Sequence, residues 1–145
     1  MIRDITPDDE AALAAFFAEN NRPEMTATFF AFPLDAATAR RIAREPRRDR
    51  YFAVWDVGAI VGLGMLRGWD EGFAVPSFGV LVDHRAQGRG HGRALTAHAL
   101  AVAREEGFTP PQFREARNER GELGYFAAEE AAKLIAGLPL VEVEP

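Results

Sequence analysis

Apolar positions along the chain change period twice, and each change marks an element. Met1 to Ile5 alternates apolar with polar residues and predicts a short strand. Thr6-Pro7-Asp8-Asp9 then has the form of a helix start. Thr6 can cap the open amides, Pro7 suits the first turn, and Asp9 three residues after the cap completes a capping box. Leu13, Phe16 and Phe17 recur at i, i+3 and i+4, giving this helix one apolar stripe. Asn20 to Pro33 shows no period. Leu34-Asp35 begins a second short helix, with Asp35 as its cap and Ile42 inside it. Arg44 to Arg50 is a mixed charge run containing Pro46 and reads as a solvated connection.

From Tyr51 the period falls to two. Tyr51 to Asp56 and Ile60 to Leu66 are β-rich runs around Val57-Gly58-Ala59, which predicts a hairpin. Trp69 to Gly72 reads as a loop. Phe78, Val80 and Val82 alternate along a third strand of this series, and Gly79 within it predicts a bulge. Arg93 to Glu106 is the strongest helical pattern, with Leu95, Ala99 and Val102 on one face and Gly107 placed to end it. The fold class predicted is α/β (α+β): strand, two helices, three strands and a long helix in a single domain over 1–145.

Composition narrows the partners. The 145 residues are 48% hydrophobic, enough for one sizeable core. Seventeen Lys+Arg against 22 Asp+Glu leave a net charge of −5 and a pI near 5.2, which counts against nucleic-acid binding. The absence of cysteine excludes disulfides and thiolate chemistry. Apolar runs fall far short of the ~18 residues of a membrane span, and no signal-peptide pattern opens the chain. A cytoplasmic domain is expected, with no membrane partner.

The chemistry concentrates between the last predicted strand and the long helix, in Gln87-Gly88-Arg89-Gly90-His91-Gly92-Arg93. Three glycines at alternate positions leave main-chain amides uncovered at a helix start, where the helix dipole favours an anion. Arg85, Arg89 and Arg93 lie close enough to add charge-assisted contacts. A Walker loop requires a lysine that is missing, and the dinucleotide fingerprint would need glycine where Arg93 stands. Gln-x-x-Gly-x-Gly, with its flanking strand and helix, resembles the acetyl-CoA-binding motif of the Gcn5-related N-acetyltransferase (GNAT) superfamily. The order of elements from Met1 to Glu106 agrees with that family. The resemblance implies a mixed, mostly antiparallel sheet flanked by helices, with a bulged strand before the turn. It also implies acetyl-CoA as cosubstrate, with Leu81 and Val82 beside the pantetheine arm and Gln87 to Arg93 around the pyrophosphate.

After Gly107 two registers compete. In one, Asn118 and Tyr125, seven apart with Gly121 between them, match the family's Asn-to-Tyr spacing. Asn118 then contacts the cofactor and Tyr125 stands near the thioester sulfur as general acid. In the other, Leu123-Gly124-Tyr125 is the family's closing Leu-Gly-Phe/Tyr and the catalytic tyrosine is missing. Ala127 to Ala136 is helical in composition and Leu138 to Val143 reads as a late strand. A chain short of one closing strand could complete its sheet in a homodimer.

Acetylating an amine requires its neutral form, which at pH 7 costs roughly 4.6 kcal/mol for a pKa near 10.4. A base is therefore sought: Glu71 and Asp70 in the loop after the hairpin, or Asp83 at the strand end. Phe32 and Trp69, among a run of aromatics, are candidates for the acceptor pocket as well as for the core. His84, His91 and His98 repeat every seven residues without sharing a ligand face, so no metal is expected. The expected activity is transfer of acetyl from acetyl-CoA to a primary amine of a small molecule, amino sugar or peptide, by direct attack in a ternary complex. The alternative is a non-catalytic acyl-CoA-binding sensor or interaction module.

Overall fold

The computed structural model describes residues 1–27, 29, 31–72 and 76–107. Four strands, β1 (Ile2–Asp4), β2 (Arg50–Asp56), β3 (Ala59–Arg67) and β4 (Ser77–Val82), form one antiparallel sheet in chain order. On one face lie α1 (Glu10–Asn20), a single turn α2 (Pro23–Thr26) and α3 (Ala36–Arg44), and on the other α4 (His91–Glu105). The described fold is the expected mixed α/β arrangement. The predicted tail elements, Asn118 and Tyr125 fall outside the described residues.

Local signals place the helices. The Thr6 amide donates to the Asp9 carboxylate at 2.8 Å, which closes the box one 3₁₀ turn before α1, and Arg3 adds a two-pronged ion pair to the same carboxylate. Asp35 accepts from the Thr38 amide at 2.8 Å and caps α3. Leu13 and Phe17 are fully buried, with Phe16 beside them, against Ile42 of α3 and Leu63 of β3. Across the sheet, Leu95, Ala99 and Val102 of α4 pack on Phe52, Leu66 and Phe78. Gly64 permits that approach, since a Cβ there would stand 3.1 Å from Leu95 Cδ2. Gly107 ends the helical run with φ +93°.

Three expectations change. β4 pairs with β3 in unbroken register, Gly62 to Val82 through Arg67 to Ser77, so Gly79 makes no bulge on that side. It faces Met65, and a Cβ would meet Met65 Cγ at 3.1 Å. The register shift lies instead between Val54 and Trp55, where β2 meets β3. The charge run before β2 is not wholly solvated, because Asp49 is buried and accepts from the Gly68 amide at 3.0 Å. The stretch after α1, without period in the sequence, contains the turn α2.

The hairpin between β2 and β3 closes through Val57 and Gly58, at φ +50° and +76°. This two-residue turn suits Asn-Gly, whereas a β-branched residue is strained at positive φ. Val57 is 97% exposed and packs on nothing. Val57→Asn is expected to raise stability by about 1 kcal/mol, read as a higher denaturation midpoint at unchanged slope.

Candidate functional site

The end of β4, the following turn and α2 enclose a cavity of about 600 Å³. Leu81, Val82, Gln87, Gly88, Gly90, His91 and Gly92 all line it, so seven residues singled out in the sequence come together. Arg89 and Arg93 are exposed and stand outside its wall.

Gly88 and Gly90 have φ of +81° and +87°, and no atom lies within 4 Å of a Cβ built on either. The first helical hydrogen bond of the turn runs from the Ala94 amide to the Gly90 carbonyl. The amides of His91 and Gly92 precede it and point out of the open helix end. Such amides and the helix dipole accommodate a phosphate or diphosphate. The Gln87 side-chain amide donates back to the Val82 carbonyl at 3.3 Å and lies 3.7 Å from Met25 Sδ, bracing the turn against the strand and α2.

The start of this loop is clamped to the end of α1. Asn20, fully buried, donates through Nδ2 to Phe16 O at 2.9 Å and to Asp83 Oδ2 at 3.3 Å, while its Oδ1 accepts from the His84 amide at 2.9 Å. Asp83 is 3% exposed and also accepts from the Arg85 amide and guanidinium, at 2.8 and 3.1 Å. Burial by itself would raise the Asp83 carboxyl, but the bonds from Arg85 and Asn20 outweigh it and hold it at about 2. A carboxylate so stabilised is a poor proton acceptor, so Asp83 is removed as a candidate base. Arg85 is likewise committed, to Asp83 and, at 3.8 Å, to Glu19, rather than directed at an incoming anion.

His84 Nε2 lies 2.8 Å from Glu19 Oε2 and 2.8 Å from Arg22 Nη1. One ring nitrogen cannot donate to the carboxylate and accept from the guanidinium at once, so the two contacts exclude each other in any one protonation state. Hydrogen bonding to His84, with Arg85 nearby, lowers the Glu19 carboxyl. His91 lines the cavity and His98 sets its ring edge-on to Phe52 at 4.7 Å. The three histidines thus serve separate places.

The remaining candidates disperse. Trp69 is 8% exposed in the core beneath α4, with Leu66 and Phe78, and does not reach the cavity. Phe32 sits on the opposite face among Phe17, Phe29 and Tyr51 and borders a separate hollow of about 550 Å³. Phe29 lines both that hollow and the main cavity. Glu71 and Asp70 belong to a third hollow near the start of β2. Asp70 accepts from the amides of Arg48 and Asp49, at 2.9 and 3.2 Å. Val80 and His84 also line the main cavity, and Glu24, Met25 and Phe29 complete its wall although the sequence showed no period around them. Asn20 had a legible signal: it continues the buried stripe of Leu13, Phe16 and Phe17 as a polar residue.

Several solved structures described as acetyltransferases share this architecture. A GCN5-related N-acetyltransferase from Kribbella flavida is 27% identical at a TM-score of 0.58, over 75% of this chain and 67% of that one. The GNAT domain of S. lividans PAT is 26% identical at a TM-score of 0.58, over 74% of this chain and 67% of that one. A GNAT superfamily phosphinothricin acetyltransferase from Sinorhizobium meliloti, solved in complex with AcCoA, shares the fold at 20% identity and a TM-score of 0.58, over 74% and 61% of the two chains. No curated protein matches the chain. The sheet, its two helical layers and the glycine-rich helix start define an acetyltransferase-type α/β protein. Residues 10–111 match the Acetyltransferase (GNAT) family, and the chain belongs to that family. Among the described residues no helix is long and apolar enough to cross a membrane.

Proposed function

We propose that the chain is an acetyl-CoA-dependent N-acetyltransferase acting on a primary amine of a small molecule or peptide, in the cytoplasm, as a single domain over 1–145. The observation that carries this is the cavity joining the end of β4 to the open amides of the glycine-rich helix start. Its residues fit the cosubstrate: Gly88 and Gly90 leave space where any side chain would intrude, and Leu81 and Val82 offer a strand edge leading to that space. The likeness to a phosphinothricin acetyltransferase solved with AcCoA supports the same choice.

When bound, acetyl-CoA supplies an acetyl group activated as a thioester. The main-chain amides of His91 and Gly92 would hold the diphosphate, while Gln87 braces the turn against the strand. Met25 and Phe29 form an apolar part of the cavity wall. Tyr125 is assigned the proton delivered to the departing thiolate, and Asn118 a cofactor contact. Glu24 is the acidic residue in the cavity wall, but its carboxyl is lowered and it pairs with Arg22 at 2.8 Å.

Acetyl-CoA at a hundred times its Kd is expected to stabilise the fold by about 2.7 kcal/mol, read as a higher melting temperature. An unchanged melting temperature at millimolar acetyl-CoA refutes the cofactor assignment. Thiol release across a panel of amines separates the enzyme from a non-catalytic acyl-CoA-binding module. Turnover that collapses in Tyr125→Phe supports the acid role, and unchanged turnover removes it.

A further inference from the structure

Two groups of opposite charge converge on one ring nitrogen in the wall of the main cavity. His84 lines that cavity where the chain leaves β4 for the glycine-rich turn. Glu19 belongs to the last turn of α1, and Arg22 immediately precedes α2. Glu19 Oε2 and Arg22 Nη1 each lie 2.8 Å from His84 Nε2. The His84 side chain is 20% exposed, so most of its surface is covered by protein.

Protonation decides which of the two contacts is made. A protonated ring carries hydrogen on both nitrogens, so Nε2 donates to Glu19 and accepts nothing from Arg22. A neutral ring that accepts from Arg22 carries its hydrogen on Nδ1. Glu19 is not left bare in that state, because Arg22 Nη1 and Arg85 Nη1 stand 3.6 and 3.8 Å from its carboxylate. Other charges face the ring as well: Glu24 from α2, Asp83 and Arg85 from its own loop, and His91 from α4 in the same cavity wall. Glu24 is bound to Arg22 Nε at 2.8 Å, and Asp83 is bound to Arg85 at 3.1 Å. Glu19 and Arg22 are therefore the pair that competes for Nε2.

We propose that His84 is a proton-operated contact in the cavity wall: neutral, it is tied to Arg22 at the start of α2, and protonated, it passes to Glu19 on α1 and adds a positive charge beside the open amides of the glycine-rich turn. An anionic cosubstrate then binds more tightly to the protonated form, and its binding takes up a proton. This coupling rests on the acetyl-CoA reading, whereas the exchange of partners stands on the geometry of Glu19, Arg22 and His84 alone.

Nitrogen NMR of the imidazole rings in the full chain, without ligand, tests the exchange. At about pH 8.5 the His84 ring is expected as the Nδ1–H tautomer in wild type and as the Nε2–H tautomer, bonded to Glu19, in Arg22→Met. At about pH 5 both nitrogens of the wild-type ring are expected to carry hydrogen. A neutral wild-type ring with its hydrogen on Nε2 overturns the proposal, as does a tautomer that Arg22→Met leaves unchanged. The dissociation constant of acetyl-CoA, measured at about pH 5.5 and about pH 8 in wild type and in His84→Gln, tests the coupling. His84→Gln removes the ring's titration and keeps that of the ligand's own phosphates, so the difference between the two proteins belongs to His84. Wild type is expected to gain about threefold more affinity in acid than His84→Gln does. Equal gains, with acetyl-CoA bound by both proteins, overturn the coupling. Absence of acetyl-CoA binding by wild type at either pH instead refutes the cofactor reading and the coupling with it, and the ring measurement still decides the exchange.

Discussion

Asn20→Leu is expected to lower stability by roughly 3 kcal/mol, on the order of 10 °C in melting temperature. The side chain keeps its volume but loses every polar bond of a fully buried position. The His84 amide is left without its acceptor and Asp83 without one of its donors. Each buried polar group so orphaned costs about 1–3 kcal/mol, more when charged. The same variant tests the electrostatics of Asp83. Its folded pKa of about 2 lies below the ordinary carboxylate value, so the native state binds its proton less readily than the unfolded chain. The resulting stability, roughly 2 kcal/mol, is present above about pH 4 and is lost as pH falls through 2. Asp49 has the opposite sign: burial raises its carboxyl, so its contribution is greatest in acid and declines as pH rises past its ordinary value. Removing the Asn20 donor raises the Asp83 pKa and moves the acid limb of the unfolding profile to higher pH. Acid denaturation of the two proteins side by side checks this. An unshifted limb shows that Arg85 alone holds the carboxylate.

Partners close in sequence made much of this molecule legible. Thr6 with Asp9, Asp35 with Thr38, and the stripe of Leu13, Phe16 and Phe17 are neighbours within one or two turns, so their chemistry is visible in the string. The glycine-rich turn is readable for the same reason, since its open amides depend on what is absent from consecutive side chains. Where the decisive partner is remote, local reading fails. Trp69 stands among loop residues in sequence, yet its surroundings in the core come from β4 and α4. Gly79 follows the local rule for a bulge, but Met65 on the neighbouring strand occupies the space that requires it. Arg85 reads as a phosphate ligand until Glu19, on α1, and Asp83 claim its guanidinium. Asp49 looks solvated in a charged run until the Gly68 amide closes over it. The family match itself ends at residue 111, before Asn118 and Tyr125, so their roles rest on spacing alone.

Gly90→Val is expected to weaken acetyl-CoA binding by more than about a hundredfold while costing the apo-protein only about 1–2 kcal/mol. These two effects have different origins. Nothing lies within 4 Å of a Cβ at Gly90, so the substitution meets no clash in the free protein and the stability cost is backbone strain at φ +87°. In the binding mode proposed above, the space the valine fills is the space a diphosphate needs to reach the amides of His91 and Gly92. Hydrogen bonds to charged oxygens contribute about 1.5–3 kcal/mol each, and displacing a diphosphate from two of them accounts for roughly 3–6 kcal/mol. Gly64→Val provides the contrast. Its Cβ would meet Leu95 and Phe52 at 3.1 Å, so its penalty is overpacking beneath α4, with the cofactor turn touched only indirectly. Thermal unfolding of each variant with and without acetyl-CoA separates the two. Gly90→Val should melt near wild type alone and gain almost nothing from the ligand, whereas Gly64→Val should melt early and keep the full ligand-induced gain. A Gly90→Val protein that still gains the wild-type increment would place the diphosphate away from this helix start.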